Sequence, residues 1–342
     1  MKRIISVPRP ADGTTLSVPT SGAPATLTRA KFGRITLNPY TNAGWANQHK
    51  ANLHTHTTES DGALTVAQTI DAYHAAGYTI LGLTDHDTSS GDTPTWPWTD
   101  FDRDPATLGM VGVKGTEISR PDDILSYFSD FAAAETETAA LEGIQAAGGL
   151  GVFAHPGRYA GATRPASWYA NHFLMYSSLC GWEAYNQGNR YVFDRIAWDA
   201  VNTLLAPHGR VAWGWSNDDM HTSNQLFRNY QHFMLPELTE AAVKAAMAAG
   251  TTYFSYEAGG SGNALAPRIT SISLSEENSR ITVASPDAGT IVWRSNAGQV
   301  GTGATLNVRH LPGPPLFVRA ELENAGGRSY TQPFLLAFED EV

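Results

Sequence analysis

Apolar positions are spaced in three different ways along the chain. Through residues 1–47 they are scattered among Pro, Thr, Gly and Asn, with a short run at Arg34, Ile35, Thr36 and Leu37. This stretch predicts an extension with a few strands that wraps a neighbouring domain. From about residue 49 short apolar runs alternate with helical spacing. Val66, Ile70 and Tyr73 fall at i, i+4 and i+7, one face of a helix, with Thr65 placed to cap its start and Gly77 to close it. The same logic predicts a strand over 78–84, a helix over 132–147 and a strand over 150–154. It then predicts a helix over 193–206, a strand over 210–214 and a last helix over 238–249, ended by Gly250. Strand and helix in alternation imply a parallel sheet or barrel. Beyond the glycine-rich stretch 259–263 the period becomes two. Strands are expected to begin near Ile269, Arg280, Thr290, Thr305, Leu316 and Ser329, separated by Gly/Pro turns, the pattern of a small β-sandwich. The expected division is an extension over 1–48, an α/β barrel over 49–258 and an immunoglobulin-like sandwich over 264–342.

Composition narrows the chemistry. The chain has 342 residues, enough for about two domains. Nine Trp, 13 Tyr and 13 Phe with only 16% charged residues supply ample core, which argues against disorder. Cys180 is the only cysteine, so a disulfide scaffold, a cysteine zinc finger and an iron–sulfur cluster are excluded. With 23 Lys+Arg against 33 Asp+Glu the net charge is −10, a poor match to long nucleic acid. No apolar run reaches the length of a membrane span. Met1, Lys2 and Arg3 begin as a signal peptide begins, but Pro8 and Pro10 precede any long apolar stretch. The expectation is a cytosolic chain, or an exported one with its signal removed.

The histidines and acids are unevenly placed. His54-Thr55-His56 follows a short extended run, and residues two apart on a strand share a face. Asp61 follows in a Ser-Asp-Gly turn. Thr84-Asp85-His86, Glu117 in Gly115-Thr116-Glu117, His155 in His155-Pro156-Gly157-Arg158, and Asp218-Asp219-Met220-His221 each stand where an apolar strand stops. In α/β barrels that carboxyl edge carries the site. Five successive strand ends bearing His, Asp or Glu converge there, and so dense a cluster is stable only with cations in it. Oxygen and nitrogen ligands without thiolate suit zinc, manganese or iron(II). Asp219 is favoured over Asp218 by its two-residue spacing to His221. Arg158 has two readings, a clamp for a phosphate through its planar fork or a surface ion pair, and Asp85 has two, orienting His86 or standing exposed. Glu183 and Asn186 end another strand and are expected to face the pocket. Trp96 and Trp98 have two readings, packing or an apolar mouth. His49, His74, His172, His208, His232 and His310 have no partner pattern and read as structural.

As a set these motifs resemble the PHP (polymerase and histidinol phosphatase) superfamily over about residues 49–255. With Asn38-Pro39-Tyr40, Trp45 and the β-rich tail, they resemble its multidomain branch and the carbaryl-hydrolase-like metallohydrolases. The resemblance implies a distorted (β/α)7 barrel of PHP type with two or three divalent ions (Zn, Mn or Fe). It implies one ion on His54, His56, Glu117 and Asp219, a second on Asp61, His86 and His221, and a third on Glu117 and His155. Many relatives have histidine where this chain has Asp123, which weakens the case for the third ion. The implied activity is a metal-dependent hydrolase cleaving phosphoester bonds of a small anionic substrate with a metal-bound hydroxide. Hydrolysis of a carbamate or carboxylic ester is the alternative, and a non-catalytic metal-containing binding protein is a further one.

Overall fold

The computed structural model describes residues 31–87, 95–119, 122–158, 164–275 and 277–340. Ten strands precede the tail: β1 (Lys31–Leu37), β2 (Gln48–Asn52), β3 (Ile80–Leu83), β4 (Val111–Ile118), β5 (Ile124–Tyr127), β6 (Leu150–Phe153), β7 (Leu179–Asn186), β8 (Trp213–Asn217), β9 (Asn229–Met234) and β10 (Thr252–Tyr256). Among the described residues the longer helices that interleave with them are α1 (Val66–Ala75), α2 (Glu137–Ala146), α3 (Ala166–Met175), α4 (Phe193–Leu205) and α5 (Glu240–Ala249), besides a single turn at Pro105–Leu108. Thr65, Thr136 and Thr239 cap α1, α2 and α5 through their side chains, each supplying an acceptor to an otherwise unpaired amide. Helix α2 therefore starts later than the periodicity alone predicts.

The barrel strands run in the order β9, β2, β3, β4, β5, β6, β7, β8. Pairings β2–β3, β3–β4, β6–β7 and β7–β8 are parallel. Strand β5 returns antiparallel between β4 and β6, because the short connection from Ile118 to Ile124 leaves no room for the crossover a parallel neighbour of β4 needs. Between β9 and β8 side chains span the seam: Gln231 Nε2 donates to the Ser216 carbonyl at 2.8 Å and Asn229 Nδ2 to Ser216 Oγ at 2.9 Å. Val113, Leu125, Val152, Cys180 and Trp215 fill the interior, all buried.

The tail contributes β11 (Ser271–Ser275), β12 (Arg280–Ala284), β13 (Thr290–Ser295), β14 (Gly298–Thr302), β15 (Thr305–Asn307), β16 (Phe317–Glu323), β17 (Arg328–Tyr330) and β18 (Phe334–Asp340). Strands β11, β12 and β15 form a separate antiparallel sheet. The others form a second layer around Ile281, Val283, Trp293, Val318 and Leu322. This layer continues the barrel sheet, since β17 pairs with β10. Of the residues expected to wrap the barrel, β1 instead pairs antiparallel with β18. Its alternating pattern buries Ile35 in the tail core, which is what fixes that register.

Candidate metal centre

The site is assembled from strand ends. Asn52 closes β2, and two residues later His54 and His56 turn inward on either side of Thr55, which bridges to Met220. Both imidazoles are fully buried, with their Nε2 atoms 3.2 Å apart. The next turn brings Asp61 back over them. It can pack so closely because Gly62 has no side chain: a Cβ there would lie 2.5 Å from the His56 carbonyl. Beyond β3, His86 bridges to Glu117 on β4. Beyond β6 comes His155, beyond β8 come Asp219 and His221. His155 and Asp219 have φ of 29° and 44°, left-handed conformations that non-glycine residues avoid and that concentrate at functional sites.

Distances define three adjoining groups. In the first, His54 Nε2 lies 3.3 Å from Glu117 Oε2 and 3.2 Å from Asp219 Oδ1. His56 Nε2 lies 3.2 Å and 3.0 Å from the same two oxygens. In the second, Asp61 Oδ2 sits 3.6 Å from His86 Nε2 and 3.3 Å from His221 Nε2, while Oδ1 is 3.7 Å from His56 Nδ1. In the third, His155 Nε2 is 3.1 Å from Glu117 Oε1 and 3.8 Å from Asp123 Oδ2. Glu117 thus presents one oxygen to the first group and the other to the third.

The first group fits a cation better than it fits itself. With metal–ligand bonds of ~2.0–2.1 Å, a tetrahedral ion holds its ligand atoms roughly 3.3 Å apart, and five of these contacts fall between 3.0 and 3.3 Å. Asp219 Oδ1 is buried yet accepts no hydrogen bond, a costly arrangement unless a positive centre is nearby. The electrostatics agree. Burial disfavours a charged imidazole, but Asp219, Glu183 and Glu117 outweigh it and hold the His54 pKa well above its ordinary value. His56 is raised to about 10 against burial by the neighbouring carboxylates of Asp219 and Glu117, and His155 to about 9 against burial by Glu117. Glu117 is pushed well below the carboxylate range, burial notwithstanding, chiefly by His54. This pocket draws in positive charge.

A cavity of about 560 Å³ opens over the groups, lined by Asp61, His86, His221, Arg158, Arg190 and Tyr191 among others. Arg158 stands on its wall, its Nη1 3.7 Å from Asp123 Oδ2. Asp85 does not face His86. Adjacent residues on an extended chain point to opposite sides, and the Asp85 carboxylate accepts from Thr57 N and Oγ1, both at 2.8 Å, and from Ser60 Oγ at 2.5 Å. It fixes the turn that carries Asp61, while the His86 ring contacts Ser119 Oγ at 2.6 Å. Asp218 also turns away, accepting from Tyr73 Oη and the amides of Phe227, Arg228 and Asn229. Glu183 and Asn186 lie behind the ligands, buried, rather than on the cavity wall. Trp98 is buried in a core with Val66, Ile70 and Leu83, and Trp96 packs against it. Among the described residues, none of the six histidines read as structural joins a metal-type cluster.

Gln187, Arg190 and Tyr191 are among the wall residues that the sequence reading does not single out. All follow β7 at the same barrel edge, so the rule that found the others reaches them too. Gln187 has φ of 44°; its Nε2 donates to the Asp219 carbonyl at 3.0 Å, and its Oε1 accepts from Arg190.

No family model and no curated protein matches this sequence. Solved structures do. The chain aligns over 88% of its length, and over 98% of the other chain, with a two-domain protein from Bacteroides vulgatus described as containing a predicted PHP-like metal-dependent phosphoesterase, at 15% identity and TM-score 0.53. A Bifidobacterium adolescentis protein described as a metal-dependent phosphoesterase aligns over 58% of this chain and 96% of its own, at 16% identity and TM-score 0.42. An amidohydrolase from Chromobacterium violaceum, solved with bound sulfate, aligns over 51% and 88%, at 18% identity and TM-score 0.38. The first alignment identifies the fold as the PHP-type two-domain architecture.

Proposed function

We propose that this chain, whose fold is that of the PHP-type two-domain proteins, is a metal-dependent hydrolase of small phosphoesters. The observation that carries the reading is the first group's set of near-equal 3.0–3.3 Å separations, which gives two imidazole nitrogens and two carboxylate oxygens the spacing of ligands around one ion. His54, His56, Glu117 and Asp219 would hold one ion. Asp61, His86 and His221, with His56 at their side, would hold a second, and Glu117, His155 and Asp123 a third. Here aspartate stands in the place of the histidine expected of relatives, and oxygen donors suit harder ions. Bound divalent ions supply a lowered pKa for water and neutralise charge that builds on phosphoryl oxygens.

The chain's own residues do the remaining work. Arg158 and Arg190 give the wall two planar guanidinium groups suited to phosphoryl oxygens, which lets a protein of net charge −10 receive an anion. Asp85 holds the Thr57–Ser60 turn, and through it Asp61, in place. An aryl carbamate is the weaker candidate, because neither tryptophan considered for the mouth lines the cavity: Trp98 is buried in a core and Trp96 packs against it.

The test pairs chelation with substrate choice. Metal-free protein is expected to lose hydrolysis of an aryl phosphate and to regain it with Mn2+ or Zn2+, with aryl carbamates turned over far more slowly. Full phosphatase activity after verified metal removal would reject the proposal; a preference for the carbamate would redirect it to the other bond.

A further inference from the structure

Glu183 stands out among the buried groups that the proposed chemistry does not use. It sits on β7, is fully buried, and accepts four hydrogen bonds. Its Oε1 takes His54 Nδ1 at 2.9 Å and Asn217 Nδ2 at 2.7 Å. Its Oε2 takes the His155 backbone amide at 2.9 Å and Asn186 Nδ2 at 3.0 Å. A carboxylate offers about four lone-pair sites, so every one is filled. Replacing either oxygen by an NH2 would set donor against donor.

The geometry points to Glu183 as a positioning residue for the metal centre, an inference that rests on the metal reading above. With Nδ1–H committed to Glu183, the neutral His54 ring carries its lone pair on Nε2, the atom that faces His56, Glu117 and Asp219. The same carboxylate anchors the amide of His155, whose backbone is held at φ 29°. One side chain thereby fixes the tautomer of a ligand in the first group and the strained turn of a ligand in the third. Asn217 extends the brace: its Oδ1 accepts from the Leu53 amide at 3.0 Å, next to His54 in the chain. Partners of this kind typically contribute 10–100-fold to metal affinity.

The test is a calorimetric titration of metal-free full-length protein with Mn2+, together with a thermal melt of each metal-free variant. Glu183→Gln is expected to weaken Mn2+ binding about 10–100-fold. Asn186→Ala removes a donor from the same carboxylate but leaves the His54 contact, and is expected to stay within about threefold of wild type on that scale. Should Glu183→Gln fail to fold, Glu183→Asp, which keeps the charge and withdraws the oxygens by one methylene, is read in the same titration. Wild-type affinity in the Glu183 variant would overturn the inference. So would equal losses in the Glu183 and Asn186 variants accompanied by equal falls in metal-free melting temperature, since that is packing alone. A wild-type protein that binds neither Mn2+ nor Zn2+ is the separate result that removes the metal reading itself.

Discussion

The barrel's carboxyl edge and the tail sheets are built on opposite terms. At the edge, His54, His56, Glu117 and Asp219 are buried, and His155, Gln187 and Asp219 take left-handed backbone conformations. In the tail, strands β12 and β16 bury Ile281, Val283, Val318, Ala320 and Leu322. Arg294 with Glu321 and Arg328 with Glu323 pair nearer the surface, and the buried Arg319 is matched by Asp199 and Glu321. One region spends stability to gather ionisable groups, while the other supplies it through burial. Substitutions in the two regions should therefore separate: stability falls in the tail, while function falls at the edge.

The largest effect is expected at Trp293, fully buried in the tail core with its Nε1 donating to the Gly303 carbonyl at 2.9 Å. Trp293→Ala should cost about 3–5 kcal/mol in chemical denaturation, with Mn2+ affinity of the remaining folded protein unchanged. A matching loss of affinity would show that the regions are not separable. At the edge, His56→Ala removes a ring that faces both the first and second groups. Metal affinity and phosphatase turnover should each drop by more than about 100-fold, beyond the range of an outer partner, while the metal-free melt moves little. Retention of turnover would count against the site.

Gln332 tests the seam between the two regions. From the tail it reaches β8, its Oε1 accepting from the Gly214 amide at 2.7 Å and its Nε2 donating to the Gly214 carbonyl at 2.8 Å. Gly214 lies five residues before Asp219. Gln332→Leu leaves both backbone groups buried without these partners, a loss of about 2 kcal/mol. This variant alone should lower stability and weaken metal binding together. An unaltered metal affinity would mean the tail supports the barrel without bearing on the site.

What the sequence made legible follows from how local each cause is. Helix α1 is marked by Thr65 and by apolar spacing within ten residues, and the structure places it accordingly. Strand β8 was expected three residues too early, because Val211 and Ala212 look like strand. Yet the Ala212 carbonyl accepts Trp198 Nε1 and its amide donates to Asn202 Oδ1, so helix α4 takes the backbone groups a ladder would need. Helix α3 has no side-chain cap after Pro165 and its start was not marked. At the site, ligand types at strand ends could be read because the barrel edge gathers them whatever the loops do. The partners of those ligands could not: Glu183 meets His54 across 129 positions, and no spacing rule links them. Asp85 shows the converse: next to His86 in the chain, it turns to Thr57 and Ser60 while the His86 ring faces Ser119.

The smallest expected effect is a pH dependence at the same seam. His232 on β9 stacks on Tyr253 of β10, with ring centroids 4.3 Å apart. Burial, with Lys50 and Arg268 nearby, lowers its pKa to about 3. The folded protein thus keeps this imidazole neutral, while the unfolded chain takes up a proton near pH 6.5. Between those values the unfolded state binds more protons, so His232's contribution to stability is complete above about pH 6.5 and is lost progressively as pH falls toward 3. From pH 7 to 5.5 that loss amounts to about 1 kcal/mol. His232→Phe keeps an aromatic ring against Tyr253 and removes the titration. Denaturation midpoints measured across that interval should fall less steeply in the variant than in wild type. Parallel slopes would place the acid sensitivity at groups other than His232.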